Sequence, residues 1–278
     1  MSALNLWSAA ALPDRFKFTE ISVEECHRNR ADSLVLHVRD TLAEYAATVG
    51  KSVTNHDVPG DGPIATFPSQ EDPLTQKGLR VGWTVTQKFA HAIGHIWGLH
   101  HEHQLPWFWD YDTSLPIFTI ECHHLIGYPE AAPKQRAGFH EYDRDHGICA
   151  NQAAAYEAGF LVAAQMVPSL YDLNHIPHSP YPATANDVDF SSIMLYPSYT
   201  GTIPGAGLGL RTNAGTLRNG KIKANRSPSR ADVQALITLY DLAEDRALNR
   251  LYLDRRSEYH TAFERLQQGH ACNRVLND

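Results

Sequence analysis

The stretch that decides the fold runs His91-Ala-Ile-Gly-His95-Ile-Trp-Gly98-Leu-His-His101. His91 and His95 are one helical turn apart, so a helix through them stacks both imidazoles on one face, within reach of one metal ion. A third ligand on that face would require the helix to continue. Gly98 stops it instead, because glycine takes the left-handed conformation that turns the chain back and delivers His101 to the same point. Three neutral imidazoles with a fourth position open form the donor set of a catalytic zinc site, whereas structural sites close with four protein ligands. The chain has 16 histidines, and five of them (His91, His95, His100, His101 and His103) fall within this stretch and the two residues after it.

Outward from this core, Thr84 and Gln87 form a T-x-x-Q capping box that predicts a helix running to about Trp97. Upstream, Leu34, Val38, Leu42 and Tyr45 at helical spacing predict one long amphipathic helix from Ser22 to Val49, closed by Gly50. Residues 54–79 are rich in Pro, Gly, Asp and Asn, with Ile64 to Phe67 as a short edge strand. Downstream, Asn151 to Val167 predicts a helix stopped by Pro168. Residues 172–230 read mostly as loop, and Ser229 with Asp232 caps a last helix reaching about Gln268. Strand signals are few and short, so the expected fold class is α+β with helices dominating.

At 278 residues and 31.0 kDa the chain can bury a full core, and 43% apolar with 20% charged residues is an ordinary globular balance. Twenty-four basic against 31 acidic residues give a net charge of −7, with no Lys/Arg run, so a nucleic-acid partner is not expected. No apolar run reaches the roughly 18–20 residues of a membrane span. Met1 to Leu12 lacks a basic start and does not read as a secretory signal. The four cysteines show no C-x-x-C spacing. They read either as buried thiols or, in an oxidising compartment, as two disulfides, for which the uncrossed pairing Cys122–Cys149 and Cys26–Cys272 is expected.

The histidine stretch matches H-x-x-x-H-x-x-G-x-x-H and resembles the zinc signature of the metzincin metalloendopeptidases. Glu102, directly after His101, makes it resemble the astacin family in particular. Ser192-Ile-Met194-Leu-Tyr196 is similar to that family's Met-turn, S-x-M-x-Y. Ser227-Pro-Ser229-Arg-Ala-Asp232 with Ile237-Thr-Leu-Tyr240 is similar to the S-x-x-D helix start and I-x-x-L-Y pattern that follow it. The resemblance covers about Arg80 to Asp241. It implies a single metzincin-type catalytic domain over residues 1–278, with an N-terminal segment of residues 1–79, a core of residues 80–241 and a helical tail of residues 242–278. It further implies one zinc ion on His91, His95 and His101, and hydrolysis of internal bonds in a peptide or protein substrate. In the family the methionine underlies the metal, the tyrosine is a switchable ligand and oxyanion stabiliser, and the location is secreted. These roles fall on Met194 and Tyr196.

The sequence also departs from the family. Ala92 stands where the general-base glutamate belongs, a loss worth about 100- to 10,000-fold in rate. An intact motif lacking only its base reads first as a Glu→Ala change made to hold substrate or prevent self-digestion, and second as a natural inactive homologue that binds peptides. Cys122 and Cys149 both follow the zinc helix, unlike the family's pairing. The partner of Glu102, which in the family meets the processed N-terminus, is open. Leu105-Pro-Trp107-Phe-Trp109-Asp110 is aromatic where the family is charged, so Trp107 and Trp109 are candidates for a cleft wall, with core as the other reading. His100 and His103 fall out of ligand register and are expected behind the ligands or on the surface, and His123 with His124 as a solvated pair.

Overall fold

The computed structural model describes residues 2–39, 46–50, 62–68, 83–109, 116–168, 183–213, 215 and 217–244. The chain falls into two compact units, Met1–Val233 and Gln234–Asp278. In chain order the elements are α1 (Ser2–Ala9), α2 (Val23–Arg28), β1 (Val35–Arg39), β2 (Ala46–Ala47), β3 (Ile64–Pro68), α3 (Val85–Ile96), β4 (Phe118–Ile120), α4 (Tyr128–Ala131), α5 (Gln152–Glu157), α6 (Leu161–Ala164), β5 (Leu210–Thr212) and α7 (Arg230–Glu244). The fold is α+β. β1 and β2 flank β3, parallel and antiparallel respectively, and β4 pairs antiparallel with β5. No described helix is long and apolar enough to cross a membrane.

The long helix expected over Ser22–Val49 does not form. Ser22 does cap a helix, accepting from Glu25 N at 3.1 Å, but α2 ends at Arg28. The stretch with Val35, Leu36 and Val38 becomes β1 instead, paired with β3 from Val35↔Ile64 to Arg39↔Pro68. β-branched residues fit a pleated surface, and a strand partner 29 positions on outweighs a local helical period. Leu42 and Tyr45 lie outside the described residues. For the same reason Ile64–Phe67 is the middle strand and not an edge. Its alternation buries Ala65 and Phe67 on one face while Ile64 stays exposed.

The helix predicted over Asn151–Val167 is two pieces. Asn151 caps α5 through Ala154 N at 2.9 Å, but Gly159 takes φ +72° and Phe160 N returns to Ala155 O at 2.8 Å. That reversal places Phe160 fully inside the core, burial worth about 1.5–3 kcal/mol. Phe160 there joins Phe118, Leu125, Met166, Leu195 and Leu210, the main apolar cluster. The Cys122–Cys149 disulfide, with Cα atoms 5.7 Å apart, lies in the same cluster. Of the second expected pair, Cys26 is a free thiol in the structure and Cys272 lies outside the described residues.

α3 is held by α1, by the Met194 turn and by β3. Trp7 of α1 donates its indole N–H to Ala90 O at 2.9 Å. Next to Trp7, Gly94 lets the Met194 turn approach so closely that a Cβ there would sit 2.5 Å from Met194 Sδ and 3.2 Å from Trp7 Cζ2. Ala92 packs with Ala65 and Phe67 of β3, and Phe67 stacks on Phe89 at 3.8 Å.

Candidate metal centre

α3 begins at the expected capping box: Gln87 N donates to Thr84 Oγ1 at 3.3 Å, and Thr84 N to Gln87 Oε1 at 2.9 Å. It ends in a Schellman turn, with Gly98 at φ +101°, Gly98 N on His95 O at 2.8 Å and Leu99 N on Gly94 O at 2.9 Å. This turn does two jobs. It reverses the chain so that His101 returns to the helix, and it lays the Leu99 carbonyl beside His95, whose Nδ1 donates to it at 2.7 Å.

The Nε2 atoms of the three histidines converge: His91 to His95 3.0 Å, His95 to His101 3.0 Å and His91 to His101 3.1 Å. Each Nδ1 faces an oxygen that can only accept, namely Ile193 O (2.8 Å), Leu99 O (2.7 Å) and Gln104 Oε1 (2.6 Å). Every ring must therefore carry its proton on Nδ1, which leaves three bare Nε2 lone pairs facing one another. Burial is the main force holding the rings neutral. It takes His95 down to about 4 and His91 and His101 well below the ordinary imidazole value, with neighbouring imidazoles adding to the shift of the last two. Uncharged lone pairs crowded together repel unless a cation sits among them. A point about 2.0–2.1 Å from all three nitrogens, the Zn–N bond length, exists for this triangle. The donor set fits zinc.

The other residues of the motif surround this triangle. Tyr196 is buried, its ring centroid 4.3 Å from that of His101 and 5.4 Å from that of His91, and burial raises its phenol well above the ordinary value. Met194 lies 2% exposed beneath α3. Ala92 is 1% exposed and faces the apolar contacts of β3. Glu102 accepts Asp189 N at 2.9 Å, which supplies the partner that the sequence left open. Burial pushes its carboxyl up to about 7, with Asp189 and Asp232 adding to the shift.

Two residues that shape the centre were not singled out from sequence, and a third was read only for its place at a helix start. Gln104 holds His101. Trp83, its indole N–H on Asn225 O at 2.8 Å, lies over His91 with ring centroids 4.6 Å apart. Asp232, read only as a helix cap, also accepts Ser192 Oγ and Ile193 N. The cap residue was legible, but its tie to a turn forty positions away carries no local signal. His103 is wholly buried, its ring 5.2 Å from that of His101 and 5.1 Å from that of Tyr196, while His100 is exposed. Trp109 belongs to the core, donating its indole N–H to His103 O at 2.6 Å, and Trp107 is half-buried. His123 is exposed, and His124 is tied through Nδ1 to Leu208 O at 2.8 Å. Among the described residues one other group has metal-ligand spacing, Asp143, Asp145 and His146. There Asp143 Oδ1 already takes the backbone N–H groups of Asp145 and His146 at 3.0 and 2.9 Å, closing a local turn.

Fold and site together define an α+β protein with a three-histidine, metal-competent centre on a helix, a glycine turn and the loop after it. No protein-family model matches the sequence, and no curated protein does. Among solved structures the chain is similar to high choriolytic enzyme 1, a hatching-enzyme zinc protease from the medaka fish Oryzias latipes. The two share 14% identity over 86% of this chain and 82% of that one, with a TM-score of 0.43. It is also similar to myroilysin, at 17% identity over 90% of this chain and 84% of that one, with a TM-score of 0.35.

Proposed function

We propose that this chain is a zinc-dependent endopeptidase of the astacin type, in a form crippled by Ala92, whose substrate is a peptide or protein. On this reading residues 1–278 make one catalytic domain with its core at 80–241. The observation that carries the proposal is the convergence of three Nε2 atoms within 3.0–3.1 Å, each ring fixed by a hydrogen bond on its far side. Bound there, zinc would supply Lewis acidity for a carbonyl and for water.

The chain's own residues account for the remaining chemistry. His91, His95 and His101 present neutral donors at neutral pH, so the centre needs no proton loss to bind metal. Tyr196, a phenol whose value burial raises further, keeps its proton on Oη at neutral pH as any tyrosine does, which leaves it a hydrogen-bond donor beside the triad, suited to a developing oxyanion. The Ala92 methyl can neither take nor pass on a proton. An oxidising, secreted setting is supported by the Cys122–Cys149 bridge. The test is Ala92→Glu assayed against a diverse peptide library.

A second reading, a non-catalytic zinc protein that binds peptides, is favoured by one observation. Ala92 fits an apolar cluster with Ala65 and Phe67, so a carboxylate at this position would be set against apolar side chains. Tight peptide binding by the unmodified chain, with no cleavage after Ala92→Glu, would favour it.

A further inference from the structure

His101 differs from the other two histidines of the triad. His91 and His95 are oriented by backbone carbonyls, Ile193 O and Leu99 O, while His101 is oriented by a side chain, Gln104. Gln104 closes the short turn Glu102–Gln104 directly after His101 and is 8% exposed. Its Nε2 donates to Val167 O at 3.0 Å and to Ala164 O at 3.2 Å, at the end of α6. The adjacent His103 Nε2 reaches Gln165 O in the same turn at 3.1 Å. Ala164 O is the last carbonyl of α6 and has no intrahelical partner, Val167 O lies in the turn that follows, and both are carbonyls that can accept only.

That requirement propagates. Two carbonyls compel the Gln104 amide to turn its NH2 toward α6, which leaves Oε1 toward His101 Nδ1 at 2.6 Å. An amide oxygen accepts only, so His101 must hold its proton on Nδ1 and present a bare Nε2 to the triangle. We propose that Gln104 is a positioning residue that converts the packing of the α6 turn into the tautomer and aim of the third metal ligand. The proposal rests on the metal-centre reading and is independent of peptide hydrolysis.

The test uses the full chain and zinc alone, with affinity read by chelator competition. Gln152 is the internal control: its Nε2 also donates to Ala164 O, at 2.9 Å, and none of its hydrogen bonds reaches the triad. Gln104→Leu and Gln152→Leu are both expected to lower the melting temperature of the metal-free chain. Gln104→Leu alone is expected to weaken zinc binding, by about 10- to 100-fold, the usual cost of losing a hydrogen bond behind a ligand. Gln104→Glu keeps the acceptor for His101 while setting a carboxylate against two carbonyls, so it is expected to recover most of the zinc affinity and none of the lost stability. Should the leucine variant fail to fold, ¹⁵N imidazole spectra of the unmutated, metal-free chain decide, with the His101 proton expected on Nδ1. Equal zinc affinities for Gln104→Leu and Gln152→Leu, or a His101 proton on Nε2, would overturn the proposal. Failure of the peptidase reading would show instead as an Ala92→Glu chain that cleaves nothing while this affinity series holds.

Discussion

Asp232 accepts the Ser192 hydroxyl on Oδ1 at 2.6 Å, and this bond ties the start of α7 to the turn that carries Met194 and Tyr196. Its other oxygen takes Ile193 N at 2.9 Å and Ser229 N at 2.8 Å. Ile193 O in turn receives His91 Nδ1 at 2.8 Å, so one carboxylate braces the peptide that orients the first histidine of the triad. Asp232→Ala strands two buried donors and the half-buried Ser229 N, the buried ones each costing about 1–3 kcal/mol less whatever water restores. A loss of about 2–4 kcal/mol in urea unfolding of the metal-free chain is expected, with Asp232→Asn losing less because one oxygen remains. A loss below about 0.5 kcal/mol would mean the brace contributes nothing.

The same carboxyl makes a pH prediction. Burial raises its value in the folded chain above that of the unfolded one, and its hydrogen bonds offset this only partly. Between the two values the folded state holds the proton and the unfolded state does not, so this group's contribution to stability is present at acid pH and is lost as pH rises through the folded value. Subtracting the stability curve of Asp232→Asn from that of the parent isolates this contribution from the histidines. The difference is expected to turn against the parent as pH increases from acid toward neutral, and a difference of the opposite slope would contradict the burial argument.

Zinc should bind with one-to-one stoichiometry and stabilise the fold. At free zinc a hundredfold above the dissociation constant the gain is about 2.7 kcal/mol, which corresponds to a melting-point rise of several degrees. Chelation should reverse it. His95→Ala should abolish both the bound metal by elemental analysis and the chelator-sensitive shift.

The disulfide can be weighed in the same way. Cys122 and Cys149 are 27 positions apart, and closing a loop of that size stabilises by about 3–4 kcal/mol in the chain-entropy model. Cys149→Ala should lose an amount of that order, and non-reducing peptide mapping should find Cys122 joined to Cys149 with Cys26 open to alkylation.

The convergence of the three histidines was legible because its determinants are local. A histidine pair one turn apart, a capping box at Thr84 and a left-handed glycine at position 98 each act within a few residues, and the structure carries all three. Failures came where distant partners decide. Leu34, Val38, Leu42 and Tyr45 have helical spacing, yet Val35–Arg39 becomes a strand because β3 offers a ladder. The Asn151–Val167 stretch looks continuous until Phe160 is drawn into a core assembled from β4, β5 and the Met194 turn. Gln104 is an inconspicuous polar residue in sequence, and its meaning comes from carbonyls 60 and 63 positions away.

The sharpest division between catalyst and binding protein lies at position 92, which directly follows a ligand on α3, in the place where the family resemblance puts its base. Ala92→Glu is expected to leave zinc content unchanged, because all three nitrogens and their far-side partners are untouched. Its cost should appear in folding, about 1–3 kcal/mol, since the new side chain must leave or displace contacts with Ala65 and Phe67. Endopeptidase activity should rise by about 100- to 10,000-fold, the contribution of a positioned acid–base group. Adding Tyr196→Phe to that variant removes one hydroxyl beside the triad. If the phenol acts on oxyanion charge, turnover falls while KM stays nearly constant, because the interaction is made only in the transition state. A rise in KM alone would assign Tyr196 to substrate binding. A folded, zinc-loaded Ala92→Glu chain that cleaves nothing across a diverse peptide library would leave the peptide-binding reading in possession of the site.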